Sequence, residues 1–218
     1  GAVRVAEEEE LRRVLPALRE IRKRQRDAIV SVDTTRVAVA RAVLEEGAHI
    51  INDVSGLRLE PSIAELVASY GAGLVLMHSR GTVSQMASYE LARYGENVVE
   101  EVAIELGRSV DFAMRSGVRR ENIVVDPGVG FSKRTEHSLA VLHGLPRLAA
   151  LGFPILVGAS RKRLVGELTG VAEPAGRLYG TIGVHVAALA LGARLFRVHD
   201  VAAHRQALDA AFAVMGNQ

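Results

Sequence analysis

Short apolar runs rich in Val and Ile alternate along this chain with longer segments in which apolar residues recur every three or four positions. Runs of the first kind are typical of buried strands, and the longer segments are typical of amphipathic helices. Six runs predict strands, over residues 28–32, 49–51, 73–77, 122–125, 154–157 and 193–198. Strands that alternate with helices imply a parallel sheet with right-handed crossovers, so the predicted fold class is α/β.

The helical segments carry end signals. The opening helix starts in the acidic run 7–10 and ends in the basic run 22–26, which complements the helix dipole. Further helices are predicted over 36–46 and 97–116, each followed by a glycine, and over 61–69. Because the pattern starts on a helix without a preceding strand, two architectures stay open: an open doubly wound sheet, and a (β/α)8 barrel that lacks its first strands.

The amino-acid composition excludes several classes of function. The chain has 218 residues, 49% hydrophobic and 24% charged, which fits a single packed domain over 1–218. It has no cysteine, which excludes thiolate nucleophiles and cysteine metal sites, and no apolar stretch near the roughly 20 residues that cross a bilayer. The net charge is only +2, aromatic residues are 4% and tryptophan is absent, so nucleic acid is not an expected partner.

Polar residues follow every predicted strand. In parallel sheets the carboxyl ends of the strands carry the functional site, so these residues should share one rim. Any single one could instead be a helix cap, but six caps in a row are less expected. They are Asp33 and Thr34, Asn52 and Asp53, Met77 and His78, Asp126, the run Ser160, Arg161 and Lys162, and the run Arg197 to Asp200.

The rim residues suggest two kinds of ligand group. Asp126 precedes Pro127 and Gly128, and its carboxylate could bond the amides of that turn or accept hydrogen bonds from an N–H-rich heterocycle, with Asn52 and Asp33 adding partners. Arg197 and His199 lie at alternate positions and suggest an anion site, or else an internal ion pair with Asp200 or another acid.

Lys162 lies at the predicted start of a helix that Ser160 could cap, where it would favour an anion or simply be a solvated surface lysine. The chain has no Walker motif, no metal-helix histidine spacing and no nucleophile elbow. These absences disfavour a nucleoside triphosphate ligand and give no evidence for a protein nucleophile.

Six motifs in order resemble the dihydropteroate synthase family of pterin-binding enzymes. They are Ser-Val-Asp-Thr-Thr from Ser31, Ile-Asn-Asp-Val-Ser-Gly from Ile51, Leu-Met-His-Ser-Arg-Gly-Thr from Leu76, Asp-Pro-Gly-Val-Gly-Phe from Asp126, Ser-Arg-Lys from Ser160 and Arg-Val-His-Asp from Arg197. The resemblance implies a TIM-type (β/α)8 barrel, with about six of its eight strands in this chain. It also implies condensation of dihydropterin pyrophosphate with para-aminobenzoate in folate biosynthesis, the reaction that sulfonamides inhibit.

The resemblance also implies roles for individual residues. The pterin would be held by Asp33, Asn52, Met77, Asp126 and Lys162, of which Asp33, Asp126 and Lys162 would serve catalysis. Arg197, Val198 and His199 would bind the pyrophosphate, and Phe131, Ser160 and Arg161 would border the aminobenzoate pocket. Magnesium would assist the leaving group, and its expected asparagine ligand would lie in a segment before this chain. A cytoplasmic homodimer is the implied form.

Two departures from the family pattern leave alternatives open. Ser79 and Val83 stand where a more apolar residue and a proline are expected, a change that affects the pocket wall. The first two barrel strands and their loops have no counterpart here, so the domain is expected to be N-terminally incomplete. The alternatives are a pterin-binding methyltransferase domain, and a non-catalytic pterin-binding paralogue or fragment.

Overall fold

The computed structural model describes residues 5–216. Six strands lie in this part of the chain: β1 Ser31–Asp33, β2 Ile50–Asp53, β3 Gly73–Met77, β4 Ile123–Asp126, β5 Leu156–Val157 and β6 Leu195–Phe196. The α-helices are α1 Glu7–Arg24, α2 Val37–Glu45, α3 Ile63–Tyr70, α4 Val83–Met86, α5 Val98–Arg115, α6 Thr135–His143, α7 Leu145–Ala149, α8 Arg163–Thr169, α9 Leu178–Ala190 and α10 Val201–Met215.

The strands follow one another in sequence order, and all pairs are parallel. β1 to β4 form one sheet, β5 pairs with β6, and a parallel bridge between Val125 and Ile155 joins the two groups. A doubly wound sheet would reverse its strand order at a switch point, and no reversal occurs within residues 5–216. The fold is therefore of the TIM type, with six strands in the described part of the chain.

Strand lengths differ from the sequence prediction at both ends of the sheet, and β1 contains three residues instead of the five predicted over 28–32. β3 has the predicted bounds, whereas β5 and β6 contain two residues each instead of four and six. β5 meets β4 through a single bridge, and β6 pairs only with β5 among the described strands. Because β5 and β6 pair with few residues of neighbouring strands, the regular strand conformation is shorter in both.

The core lies between the strands and the helices that follow them. Leu74 and Val75, which point to opposite faces of β3, are 0% and 4% exposed, and Val39 on α2 and Ile63 on α3 are fully buried. Such burial on both faces is expected of a parallel strand covered by helices. Apolar side chains are exposed near the two outer strands instead: Ile29, two residues before β1, is 70% exposed, and Leu195 on β6 is 37% exposed.

No helix within residues 5–216 combines the length and the apolar character that a bilayer crossing requires.

Candidate active site

Part of the predicted rim forms one cavity of about 420 Å³ at the carboxyl ends of the strands, whereas Thr34, Asp53, His78, Arg161 and Asp200 do not line it. Side chains from all six motifs, the first through the last in the chain, line this cavity. Its lining residues are Asp33, Asn52, Val54, Met77, Asp126, Phe131, Gly158, Ser160, Lys162, Arg197, Val198 and His199. Every residue that the resemblance assigns to the pterin or to the pyrophosphate therefore faces the same space.

Asp126 occupies the most buried carboxylate position of the cavity, with 6% of the residue exposed. One of its oxygens, Oδ1, accepts a hydrogen bond from the amide of Gly128 at 2.7 Å, so the turn role considered from sequence is present. Gly128 has φ +67°, and a Cβ there would meet the carbonyl oxygen of His78 at 1.9 Å, so only glycine fits this tight turn. Burial raises the pKa of Asp126, although Lys162 acts in the opposite direction.

Asn52 and Asp33 lie side by side on neighbouring strands. Asn52 donates from Nδ2 to Asp33 Oδ1 at 2.9 Å, which fixes the amide orientation. The other atom of that amide, Oδ1, is buried and has no hydrogen-bond partner in the structure. A buried acceptor without a partner is costly, so this oxygen is suited to an N–H group of a ligand.

Lys162 is held beneath the ring of Phe131. Its Nζ lies 4.2 Å from the ring centroid and donates to the carbonyl of Val129 at 2.5 Å. Burial lowers the pKa of this lysine to about 8, while Asp126 acts to raise it. Lys162 is thus not the solvated surface lysine that the sequence left open, and it remains mostly charged at neutral pH.

A second cavity of about 160 Å³ adjoins the first. Phe131 and Lys162 line both cavities and so form the partition between them. The guanidinium of Arg163 lies 4.3 Å from the ring centroid of Tyr89, and both residues line the second cavity. Sequence reasoning singled out neither residue, because no motif marks a contact between segments so far apart in the chain.

The two basic side chains after β6 differ in their partners. Arg197 forms an ion pair with Asp33 at 2.7 Å, which is the internal pairing with an acid considered from sequence. His199 shares a 2.9 Å hydrogen bond between its Nδ1 and the hydroxyl of Ser160. Both side chains still face the larger cavity.

Two sequence expectations for the run after β5 are wrong. Ser160 caps no helix, since α8 begins at Arg163 and the hydroxyl is taken up by His199. Arg161 lines neither cavity: its guanidinium pairs with Asp200 at 2.7 Å, and its backbone has φ +58°. Arg161 therefore does not border either cavity, as its predicted aminobenzoate role would require.

A buried polar cluster beneath the loop after β4 was not foreseen. Lys133 is 1% exposed, and its Nζ lies 2.8 Å from Nδ1 of His78. Nε2 of His78 lies 3.0 Å from a carboxylate oxygen of Glu105 on α5. Only three lysines occur in the chain, which was the one available signal, but burial depends on tertiary packing.

No three His, Asp or Glu side chains gather into a metal site within residues 5–216. Asp33, one of two carboxylates that line the larger cavity, is paired with Arg197. The described residues therefore do not by themselves form a magnesium site.

Residues 1–199 match the family model of the pterin binding enzymes. The chain is 45% identical over 213 residues to the dihydropteroate synthase of Mycobacterium leprae, covering 95% of this chain and 74% of that protein. It is 41% identical over 206 residues to the dihydropteroate synthase of Synechocystis, covering 94% and 70%. It is also 37% identical over 216 residues to an inactive dihydropteroate synthase 2 of Mycobacterium bovis, covering 98% and 67%.

Solved structures agree with these relatives. A dihydropteroate synthase of Xanthomonas albilineans with 4-aminobenzoic acid superposes with a TM-score of 0.91 at 40% identity, covering 100% of this chain and 76% of that one. The complex of the synthase from the same organism with 7,8-dihydropteroate gives a TM-score of 0.89 at 39% identity, covering 98% and 77%.

Proposed function

This chain belongs to the dihydropteroate synthase family of the pterin-binding enzymes, which makes it a transferase, and from that premise we propose its reaction. It condenses (7,8-dihydropterin-6-yl)methyl diphosphate with 4-aminobenzoate to give 7,8-dihydropteroate and pyrophosphate. The observation that carries the proposal is the pair of cavities divided by Phe131 and Lys162. A two-substrate reaction is accelerated when both reactants are held side by side in the orientation of the reaction, and two adjoining cavities provide that arrangement.

The pterin occupies the larger cavity. Asp126 accepts hydrogen bonds from its N–H groups, Asn52 offers the unpartnered Oδ1, and Met77 packs on the ring. Because Asp126 is buried, a charge-assisted bond to the pterin is stronger there than at an exposed site. Asp33 contributes a second carboxylate at the edge of the same cavity.

The pyrophosphate lies toward Arg197, Val198 and His199. Arg197 must exchange its partner Asp33 for a phosphate oxygen when substrate binds. This exchange leaves a carboxylate oxygen of Asp33 available to the pterin. Binding of the two ends of the substrate is therefore mutually supporting.

The 4-aminobenzoate occupies the smaller cavity beside Phe131, with Ser160 at the border of the larger one. Arg163 lines this space and is exposed, so its guanidinium is suited to the carboxylate of the aromatic acid. Arg161 has no part in this proposal, since it pairs with Asp200.

In the reaction, the bond between the pterin methylene carbon and the pyrophosphate oxygen breaks, and the electron pair leaves with the pyrophosphate. A bond forms between that carbon and the amine nitrogen of 4-aminobenzoate, which then loses a proton to solvent. Lys162 stabilises the developing negative charge, and Asp126 and Asp33 stabilise the positive charge that develops on the pterin. No covalent enzyme intermediate is required.

Magnesium remains a prediction of the family resemblance. The described residues do not form a site for it. The measurement that tests this prediction is turnover in the presence of a chelator, with and without added magnesium.

We also propose the form of the protein from the resemblance: residues 1–218 as one barrel domain whose closure requires two further strands, in a cytoplasmic homodimer. The exposed apolar side chains of Ile29 and Leu195, near the outer strands, support the need for further strands. Light scattering of the purified protein tests the dimer.

A non-catalytic pterin-binding protein is the second candidate, because one relative at 37% identity is an inactive synthase. Such a protein would bind the pterin without turnover. The methyltransferase alternative has less support, since Arg197, His199 and Lys162, which suit an anionic group, all face the larger cavity.

The first experiment measures pyrophosphate release from the dihydropterin substrate with magnesium, in the presence and absence of 4-aminobenzoate. Release that depends on the amine supports the synthase. Tight pterin binding without release contradicts it and favours the non-catalytic candidate. Transfer of a methyl group from a methylated pterin would favour the methyltransferase.

A further inference from the structure

Lys133 carries a buried ammonium that the proposed reaction does not use. The residue is 1% exposed, and its Nζ has three acceptors: Nδ1 of His78 at 2.8 Å, and the carbonyls of Phe131 at 3.2 Å and Gly128 at 3.3 Å. An ammonium has three donors, so all of them are satisfied. No carboxylate within residues 5–216 forms an ion pair with it, which is unusual for a buried lysine.

Two of the acceptors belong to the loop after β4, and this loop builds the candidate site. Gly128 and Gly130 both have positive φ, so the loop folds back on itself, and Phe131 donates its amide to the carbonyl of Gly128 at 3.0 Å. Lys133 bonds the carbonyls of both Gly128 and Phe131 from below. The ammonium therefore holds the backbone that presents the ring of Phe131 to both cavities.

The third acceptor connects the lysine to α5. A protonated lysine only donates, so Nδ1 of His78 accepts and the ring proton lies on Nε2, which donates to Glu105 at 3.0 Å. Burial lowers the pKa of His78 to about 4, so its ring is neutral at neutral pH, as this arrangement requires. Burial also lowers the pKa of Lys133 to about 7, although Asp126 opposes this, and a neutral amine would still donate two hydrogen bonds.

Glu105, at the far end of this series of hydrogen bonds, is itself held in place. Arg80 also donates to the carboxylate of Glu105, and the hydrogen bonds from His78 and Arg80 together lower the pKa of Glu105 to about 2 against its burial, so the group stays ionised. Ser132, between Phe131 and Lys133, bonds both the amide and the carbonyl of Arg80 through its hydroxyl at 2.9 Å. The loops after β3 and β4 are thus fixed to each other and to α5.

We propose that Lys133, with His78 and Glu105 behind it, is a positioning residue that fixes Phe131 for binding of the second, aromatic acid substrate. The inference rests on the proposed function. Lys133 itself lines the smaller cavity, next to Phe131 and Lys162. Asp126 and Asn52 are placed by strands β4 and β2, and Lys133 acts on Asp126 only through its charge and through Gly128, so binding of the pterin depends less on this lysine.

A purely structural role predicts a different outcome. Well-packed apolar residues often replace a buried charge without loss of stability, so a lysine that only fills space gains nothing from its charge. A structural defect would also lower the active fraction for both substrates equally. The positioning role affects the two substrates unequally.

The test compares Lys133→Met with the matched control Lys23→Met, which changes an exposed lysine on α1. We expect Lys133→Met to raise KM for 4-aminobenzoate about tenfold, or about 1.4 kcal/mol. The Kd for the pterin pyrophosphate should change by less than about twofold, within the scatter of a single interaction. Lys23→Met should leave both values unchanged. Equal loss for both substrates, or no change in KM, overturns the proposal.

If Lys133→Met does not fold, Glu105→Gln tests the same series of hydrogen bonds, because Glu105 is its partly exposed member. It should raise KM for 4-aminobenzoate about threefold, and an unchanged KM would count against the proposal. NMR of ¹⁵N-labelled histidine gives a readout without activity: His78 should show a proton on Nε2 and an accepting Nδ1. The opposite tautomer would overturn the positioning proposal, and this measurement does not require an active enzyme. Failure of the positioning proposal can therefore be distinguished from failure of the proposed synthase reaction.

Discussion

The two sides of the larger cavity are built differently. On one side, at the end of β4, Asp126 is 6% exposed, and Lys133, which lines the adjoining smaller cavity, is 1% exposed. On the other side, where the ends of β1 and β6 approach each other, the side chains of Asp33 and Arg197 are 43% and 62% exposed. Each side carries both an acidic and a basic side chain, but only those of the first side are buried.

That difference determines what each side can contribute. Buried groups interact strongly and keep a fixed geometry, at the cost of shifted pKa values such as those of Lys162 and Lys133. An exposed ion pair is screened and stabilises by about 0–1 kcal/mol, so it can exchange partners. The buried side is suited to recognition and transition-state charge, and the exposed side to capture and release of an anion.

Asp126→Asn should have the largest effect. Replacing the buried carboxylate with an amide turns one acceptor into a donor, and it removes the counter-charge of Lys162. We expect the Kd of the pterin substrate to rise about a hundredfold, by analogy with the loss of a charge-assisted bond. Titration calorimetry measures this effect. A change below about threefold would mean that the carboxylate serves only the turn.

Lys162→Arg should lower kcat/KM by about tenfold, because the planar guanidinium does not replace a compact ammonium under the ring of Phe131. The pH profile gives a second test. With its pKa lowered to about 8, the wild-type lysine loses its proton as the pH rises above that value, so activity should fall there. Arginine keeps its charge, so this decline should move to higher pH. An unchanged profile would point to another titrating group.

Arg197→Ala should weaken binding of the pyrophosphate-bearing substrate about fivefold at low salt, and the difference should shrink as salt is added. The matched control is Arg12→Ala, another exposed arginine in an ion pair, but on α1 and away from the cavity. A pterin without the pyrophosphate should bind both variants equally. Equal loss for both pterins would reject the anion assignment.

Asp33→Asn should have the smallest effect, and it should strengthen anion binding, whereas Arg197→Ala weakens it. It releases Arg197 from its ion pair, so inorganic pyrophosphate alone should bind about twofold more tightly. The same measurement on the wild type provides the reference. Weaker binding of pyrophosphate would show that Asp33 orients Arg197 for the anion and does not compete with it.

Local patterns predicted the strands well where both neighbours are present. β3 has the predicted bounds, and Asp126 ends β4 at the turn that Pro127 and Gly128 indicated. β5 and β6 are shorter than predicted, because strand length depends on pairing across the sheet. For the same reason, the sequence could not show that Ser160 would bond His199 when a helix cap was equally reasonable.

The sequence by itself determined the alternation of strands and helices, the polar residue at each strand end and the family motifs, since these depend on neighbours along the chain. The tertiary structure decided which charges meet: Arg197 with Asp33, Arg161 with Asp200, and Lys133 with His78. It also decided how deeply each group is buried. Charges pair according to distance through space and to access of water, and neither quantity is set until the strands are assembled side by side.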